Sequence, residues 1–344
     1  MIELDCSMGE GGGSIVRISA AIAAAKNVAI KLYNIRKKRP NPGLQMQHIE
    51  AIRALQQLSG VSITGVSKGS TIIKISPGSA QKKGIANVKL KTAASVALVA
   101  QAVLYYSLLQ NTQIQLKITG GATHAKWAPS IDYVRYVTYE LLKKMNKKID
   151  VVVDKFGFYP KGGAKCEIIF ESCTDLEGIN FTEKGILERV DVYSVASLNL
   201  KQRNVAERQV KAFINNLDLS VDPNITIKYV DTASPGSGIT VVNNYDNGAV
   251  MGCFVVGEIK LSAETVGRLC KKQWLQLENS LAPIDEFAAD QLIIPMALAT
   301  NKSKIKTYKL TSHTKTNIIL VKKLLKREIR VTKDVDGTFI LSTC

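Results

Sequence analysis

The chain has 344 residues, enough for one large or two modest domains with cores of their own, and its 46 Lys and Arg outnumber 29 Asp and Glu to give a formal charge of +17. A basic excess of that size points to a polyanionic partner, nucleic acid first of all. Six scattered cysteines with no CxxC pair, and only three histidines, argue against a structural zinc site and fit free thiols in a reducing cytoplasm. Glu3 and Asp5 precede any apolar run, so the start is no signal peptide, and the Ala93–Leu109 stretch is interrupted by Ser95, Gln101 and Ser107, as suits a buried helix rather than a membrane span. Aromatic content of 6% speaks against a stacking platform for single strands.

Along the chain, hydrophobic periodicity predicts a strand at Ile2–Asp5 and a helix from Ser14 to Lys26. Between them lies Met8-Gly9-Glu10-Gly11-Gly12-Gly13-Ser14-Ile15-Val16-Arg17. Glycines allow close backbone approach, and the N–H groups at a helix start can meet an anion. A carboxylate among them would repel a phosphate unless a divalent metal sits between, so Glu10 is a candidate metal ligand; a flexible strand-to-helix turn is the plainer alternative. A strand at Val28–Asn34, a helix at Gly43–Ser59 and a hairpin of Val61–Thr64 with Thr71–Ser76, closed by Pro77-Gly78, complete a first unit. The second unit runs through a strand near Val88–Leu90, a helix at Ser95–Gln110, a strand at Gln113–Thr119, a helix at Pro129–Asn146 and the hairpin Asp150–Lys155 with Ala164–Glu171. The third has a helix at Ile284–Thr300, a strand at Lys304–Leu310, a helix at Lys315–Lys326 and strands at Glu328–Thr332 and Thr338–Ser342.

Between the second and third units, roughly Lys184 to Ser280, the pattern changes: strand Glu188–Ser197, helix Asn204–Asn216, strands Thr226–Val230, Gly238–Tyr245 and Val250–Glu258, then helix Ala263–Asn279. The expected architecture is therefore mixed α/β (α+β): three repeated βαβαββ units over residues 1–183 and 281–344, with a smaller inserted α/β domain over 184–280. The loops Arg36–Pro42, Gly120–Pro129 and Thr311–Thr314, each before the second helix of its unit, are expected to converge.

His313 stands where the last of those helices begins, with Ser312 or Thr314 available as cap; a surface capping histidine is the bland alternative to a nucleophile. Asp290 and Gln291 sit in an apolar helix whose neighbours Phe287, Leu292, Ile293 and Met296 leave little room for a polar face. His48 shares a face with Leu44, Ala51 and Leu55 and is expected to be buried, while His124 is expected on a solvated loop. Arg36 to Arg39 form a four-residue basic run, either a phosphate clamp or a solvated surface.

Taken in order, Gly9-Glu10-Gly11-Gly12-Gly13 with Arg17, then Arg36, Arg39, Pro42-Gly43-Leu44 and Gln47-His48, then Gly157-Phe158-Tyr159-Pro160 with Gly162-Gly163, Phe254–Glu258, Asp290-Gln291-Leu292 and Ser312-His313-Thr314 closely resemble the RNA 3′-terminal phosphate cyclase family over essentially the whole chain. The resemblance implies three units related to the fold of translation initiation factor 3 and a smaller inserted domain. It implies an ATP-dependent reaction in which a histidine takes AMP, passes it to an RNA 3′-phosphate, and the 2′-hydroxyl then closes a 2′,3′-cyclic phosphate. Carried over by position, His313 is the nucleophile and Glu10 binds Mg2+ or Mn2+ beside the phosphates of ATP. Gln101, Pro129, Phe254, Phe287, Asp290 and Gln291 line the nucleotide pocket, and Arg17, Arg36, Arg39 and Gln47 meet the RNA phosphate. Phe287 stands where relatives have tyrosine, so a hydrogen bond is lost and stacking kept; Ser14 stands where glutamine is common. The implied partner is RNA with a 3′-terminal phosphate, with no membrane and no obligate protein partner, in the cytoplasm. A noncatalytic cyclase-like ribosome-assembly protein, a carboxyvinyl transferase and a plain RNA-binding module are the competing assignments; the presence of both His313 and Glu10 stands against the first.

Overall fold

Three times along the chain the same strand order is laid down. In the computed structural model, which describes residues 1–78 and 83–344, the first sheet uses β1 (Ile2–Asp5), β2 (Ile30–Tyr33), β3 (Ser62–Thr64) and β4 (Ile73–Ser76) in the order β1-β2-β4-β3, with helices α1 (Gly13–Lys26) and α2 (Met46–Ser59). The second has β5 (Ile85–Ser95), α3 (Val96–Ser107), β6 (Ile114–Ala122), α4 (Ile131–Tyr133), a π-helical stretch leading into α5 (Tyr139–Lys144), β7 (Ile149–Lys155) and β8 (Lys165–Phe170), ordered β5-β6-β8-β7.

The first strand of the third sheet comes from an unexpected place. β9 (Asn180–Phe181) pairs in parallel with β14, far along the chain. Between them run β10 (Leu187–Ser197), α6 (Val205–Ile214), β11 (Asn224–Val230), β12 (Ser237–Tyr245), β13 (Val250–Val256), α7 (Ala263–Glu278) and α8 (Glu286–Leu298). Then follow β14 (Lys304–Thr307), α9 (Ser312–Leu320), β15 (Ile329–Lys333) and β16 (Phe339–Thr343), and the sheet order β9-β14-β16-β15 repeats that of the first two. In each, a parallel pair is followed by two antiparallel pairings. Strands β10 to β13 form a separate sheet, β11-β10-β12-β13, turned at Asp246–Gly248 with Tyr245 N–H donating to Ala249 O.

Several boundaries differ from the sequence expectation for local reasons. The α2 helix starts at Met46 rather than Gly43, because Gly43 N–H and Leu44 N–H are spent on Ile35 O and Ser70 O, and Gln45 with His48 forms the cap. Pro77-Gly78 lies past β4 and not in the hairpin turn, with Gly78 N–H on Asn27 Oδ1. The α9 helix starts at Ser312 because Thr311, not Ser312 or Thr314, is its cap, accepting from Thr314 N–H.

Two helices are apolar nearly all round and buried through their middles, α1 over Ser14–Ala24 and α8 over Ala288–Ala297, so their N-terminal turns emerge from the core at fixed positions. Asp285 caps α8, accepting from Phe287 N–H and Ala288 N–H, and also from Tyr133 Oη at 2.6 Å and Gly252 N–H at 3.1 Å. One buried carboxylate thus joins α8, α4 and β13. Burial outweighs those hydrogen bonds and pushes its pKa from an ordinary 3.8 to about 6. Between those values the folded carboxyl keeps a proton that the unfolded one has lost, so its contribution to stability falls as pH rises. The stability of the native chain relative to Asp285→Asn should therefore fall by about 2 kcal/mol between pH 4 and pH 6 in denaturant titrations, and a relative stability that rises over that range contradicts the assignment.

Candidate active site

Glu10 sits in the turn between β1 and α1 with a side chain only 3% exposed. Its Oε1 accepts from Ser14 Oγ at 2.7 Å and its Oε2 from Arg39 Nη2 at 2.6 Å, while His313 Nδ1 lies 3.6 Å from Oε1. The backbone of the turn is fixed from the opposite side. Glu10 N–H donates to Thr316 Oγ1 at 3.0 Å, and Thr316 in turn donates to Ser312 O at 2.6 Å. Gly9 has φ +55°, and a side-chain carbon there would meet Thr316 Oγ1 at 2.2 Å, so only glycine lets α9 come this close. Thr316 therefore locks the Glu10 turn onto the helix that carries His313.

Sequence reasoning missed Thr316; its one signal was a polar residue in the turn after His313. Thr316→Val removes the acceptor for the part-buried Glu10 N–H, at a cost of about 1 kcal/mol. The expected result is a lower denaturant midpoint that Thr316→Ser restores; equal midpoints for the valine and native chains would show the contact to be idle.

Behind Glu10 lies a row of buried polar groups. Arg17 is 5% exposed, and its Nε and Nη2 both donate to Gln101 Oε1, at 3.3 and 3.1 Å. Burial lowers its pKa to about 10, leaving it charged at neutral pH. A buried guanidinium answered by one neutral amide has donors and charge left for an anion. His48 is buried as expected, its Nδ1 accepting from Gln45 N–H, and burial with Arg17 and Arg36 nearby pushes it down to about 3, so it stays neutral. One turn beyond Gln101, Tyr105 Oη donates to Gln291 O at 3.4 Å, linking α3 to α8.

Asp290 anchors rather than faces outward. Its carboxylate accepts from Thr311 Oγ1 at 2.6 Å and from Thr314 Oγ1, and its carbonyl accepts from Asn317 Nδ2 at 2.8 Å. Three residues of the His313 segment are held by this one buried position, and burial pushes the Asp290 carboxyl up. Gln291 is buried and bonds back to Phe287 O at 3.3 Å. His313 itself is left half-exposed at the first turn of α9, its side chain 46% open. The positive end of that helix favours negative charge beside the ring.

The residues expected around the nucleotide base divide in two. Phe254 and Phe287 lie 5.6 Å apart between ring centroids, and Tyr133 meets them at 5.2 and 6.3 Å. Phe254 is half-buried at the back and Phe287 opens to solvent. Pro129 leads into α4, one residue before the capping Ser130. Gln47 lies half-buried in the first turn of α2. Arg36 is partly committed elsewhere: at φ +53°, its Nη1 donates to Asn41 O at 2.6 Å and Gly43 O at 2.9 Å, holding its own loop in shape. His124 is not on a solvated loop. It is 2% exposed, with Nε2 3.2 Å from Asp132 Oδ2 and its ring 5.5 Å from Phe158, because the 156–158 segment closes over it.

Of the three loops expected to converge, the first and third meet directly at Glu10, whereas the second, Gly120–Pro129, is tied instead to the 156–164 segment and Glu258, and only Tyr133, in the helix that follows it, touches Phe287 of α8. A half-exposed imidazole, a buried carboxylate and a set of guanidiniums on one side, with an aromatic cluster on another, suit the transfer of a nucleotide to an anion. The family model for RNA 3′-terminal phosphate cyclase matches residues 8–331. The chain belongs to that family. A protein named RNA 3′-terminal phosphate cyclase in Pyrobaculum aerophilum is 34% identical over 98% of each chain, and one in Caldivirga maquilingensis is 36% identical over 96% of this chain and 94% of its own. A relative of the same name in Nostoc punctiforme is 31% identical over 97% of each chain. The similarity therefore spans every element that builds the candidate site above.

Proposed function

We propose that this chain is an enzyme that converts an RNA 3′-terminal phosphate to a 2′,3′-cyclic phosphate, using ATP and a covalent histidine–AMP. The observation that carries this is the setting of His313. Its Nδ1 faces the buried carboxylate of Glu10 at 3.6 Å, so Nε2 is the nitrogen free to attack. In the first step Nε2 bonds to the α-phosphorus of ATP and pyrophosphate leaves. In the second, an oxygen of the RNA 3′-phosphate attacks that phosphorus and the imidazole leaves, carrying a proton. In the third, the neighbouring 2′-hydroxyl attacks the activated 3′-phosphorus, its proton is released, and AMP departs.

The chain's own groups supply position and charge. Arg17 and Arg39 hold donors for phosphate oxygens, and Asp290 fixes the His313 segment through Thr311 and Thr314. The aromatic faces of Phe254 and Phe287 suit a purine, and Tyr133 braces both. Among the described residues no cluster of three or more His, Cys, Asp and Glu side chains could cage a metal. A lone carboxylate fits Mg2+ or Mn2+ taken up with substrate phosphates and water, and Glu10 would hold it. When bound, such an ion neutralises charge on the phosphates of ATP.

No helix among the described residues is long and apolar enough to cross a membrane, and the cysteines are free, in keeping with action in the cytoplasm. The test is incubation with α-labelled ATP followed by denaturing gel analysis. Label that is acid-labile and alkali-stable, and that passes to RNA bearing a 3′-phosphate, supports the proposal. RNA binding with no label on the chain would instead favour the noncatalytic, cyclase-like alternative.

A further inference from the structure

The loop that leads into Pro129 carries side chains that the proposed reaction does not use. Trp127 is 91% exposed and Tyr159 is 74% exposed; among the described residues only Phe287, at 37%, joins them as an open aromatic. The first two stand on loops whose backbones are joined. Thr123 N–H donates to Gly157 O at 2.9 Å, Gly157 N–H returns to Thr123 Oγ1, and His124 and Phe158 form a β-bridge, so the Trp127 and Tyr159 loops are interlocked. Ile131 N–H on Thr123 O closes the Trp127 loop, and Lys161 N–H on Ser234 Oγ ties the Tyr159 loop to the segment before β12. From the same loop α4 sends Tyr133 to Phe254 and Phe287. The loops that carry Trp127 and Tyr159 are therefore tied to each other and, through the loop that leads into α4, to the element that bears Tyr133 of the aromatic cluster.

Packing does not explain Trp127. It holds φ +59°, a conformation that costs a non-glycine residue on the order of 1 kcal/mol, and its indole recovers no burial. Lys126 lies 4.9 Å over the ring while pairing with Glu258 at 2.6 Å, which orders one face and leaves the other open. Lys161 and Lys260 stand exposed on the neighbouring turns, in a chain of charge +17. Rigid open aromatic faces with cations around them match the way proteins hold single-stranded nucleic acid.

We infer that Trp127 and Tyr159 form a stacking platform for bases of the RNA strand upstream of its 3′ end. The low aromatic content argued against any such platform; a chain-wide average hides that the two most open aromatics stand on interlocked loops. The inference rests on the cyclase proposal for its ligand, and the two can fail separately.

The test uses the intact chain and its own fluorescence. Trp274 is buried with its indole N–H on Asn243, so a change in tryptophan emission on adding ligand reports Trp127. A single-stranded oligoribonucleotide ending in a 3′-phosphate should quench emission, and ATP with metal alone should not. Trp127→Ala and Tyr159→Ala should each weaken RNA binding by about tenfold, the loss expected for one base stack, and Trp127→Phe should restore most of it. RNA that binds by anisotropy without moving the emission would overturn the inference. So would quenching by ATP alone with slower labelling in Trp127→Ala, which would put the indole in the nucleotide site. A chain that never labels with ATP yet shows RNA quenching at Trp127 would keep the platform and remove the cyclase proposal.

Discussion

His313→Ala should leave no acid-labile adenylate on the chain, and with it no cyclised RNA, while the protein still folds and still binds RNA. The side chain is half-exposed and touches the Glu10 carboxylate only at 3.6 Å, so truncation opens no core cavity and should change stability by no more than about 1 kcal/mol. The effect on labelling is of another order, because removing a nucleophile removes the covalent step itself. The other two histidines cannot substitute. His48 has Nδ1 committed to Gln45 N–H and is buried, and a side-chain carbon on Gly13 would meet its Nε2 at 2.0 Å. His124 is enclosed by Phe156, Phe158 and Asp132. Supplying an RNA whose 3′-phosphate already carries AMP separates the steps: the mutant should close the preactivated RNA and fail to activate RNA ending in a free 3′-phosphate. Labelling of the mutant at the native rate would place the adenylate elsewhere.

Much of this site could be read from residue types and spacing because the constraints are local. The apolar surroundings of Asp290 and Gln291 implied burial, and both are buried. The repeated order of strands and helices implied repeated sheets, and three sheets share one strand order. What could not be read depends on partners distant in sequence. Asn180-Phe181 is too short for any periodicity, and it becomes a strand only because Lys304 and Ile305 lie beside it. His124 looks like a loop residue until the 156–158 segment covers it. The charge of Arg36 was plain, but not that its Nη1 is spent on the carbonyls of its own loop; Arg39, three residues on, is the one that reaches Glu10. Nor was it plain that the Asp290 carboxylate holds Thr311 and Thr314, which lie more than twenty residues on.

Glu10→Gln should slow adenylate formation by on the order of a hundredfold or more, the scale of a few kcal/mol that a bound metal's charge supplies. The substitution keeps the shape and an acceptor for Ser14 Oγ, and the turn itself is held through backbone N–H by Thr316, so the fold should survive. Two roles for the carboxylate must be told apart, since it also pairs with Arg39 at 2.6 Å. If it served only to place that guanidinium, Arg39→Ala would show the same defect, and the double variant would be no worse than either single one. If it holds the metal, Glu10→Gln alone shifts the metal concentration needed for half-maximal labelling upward, excess Mg2+ or Mn2+ restores part of the rate, and Arg39→Ala leaves that concentration near the native value. Arg39 would then be expected to fail later, at the transfer to RNA, where its released donors meet the terminal phosphate. A Glu10→Gln chain that labels at the native rate in scarce metal would reduce Glu10 to a turn residue with an ion pair.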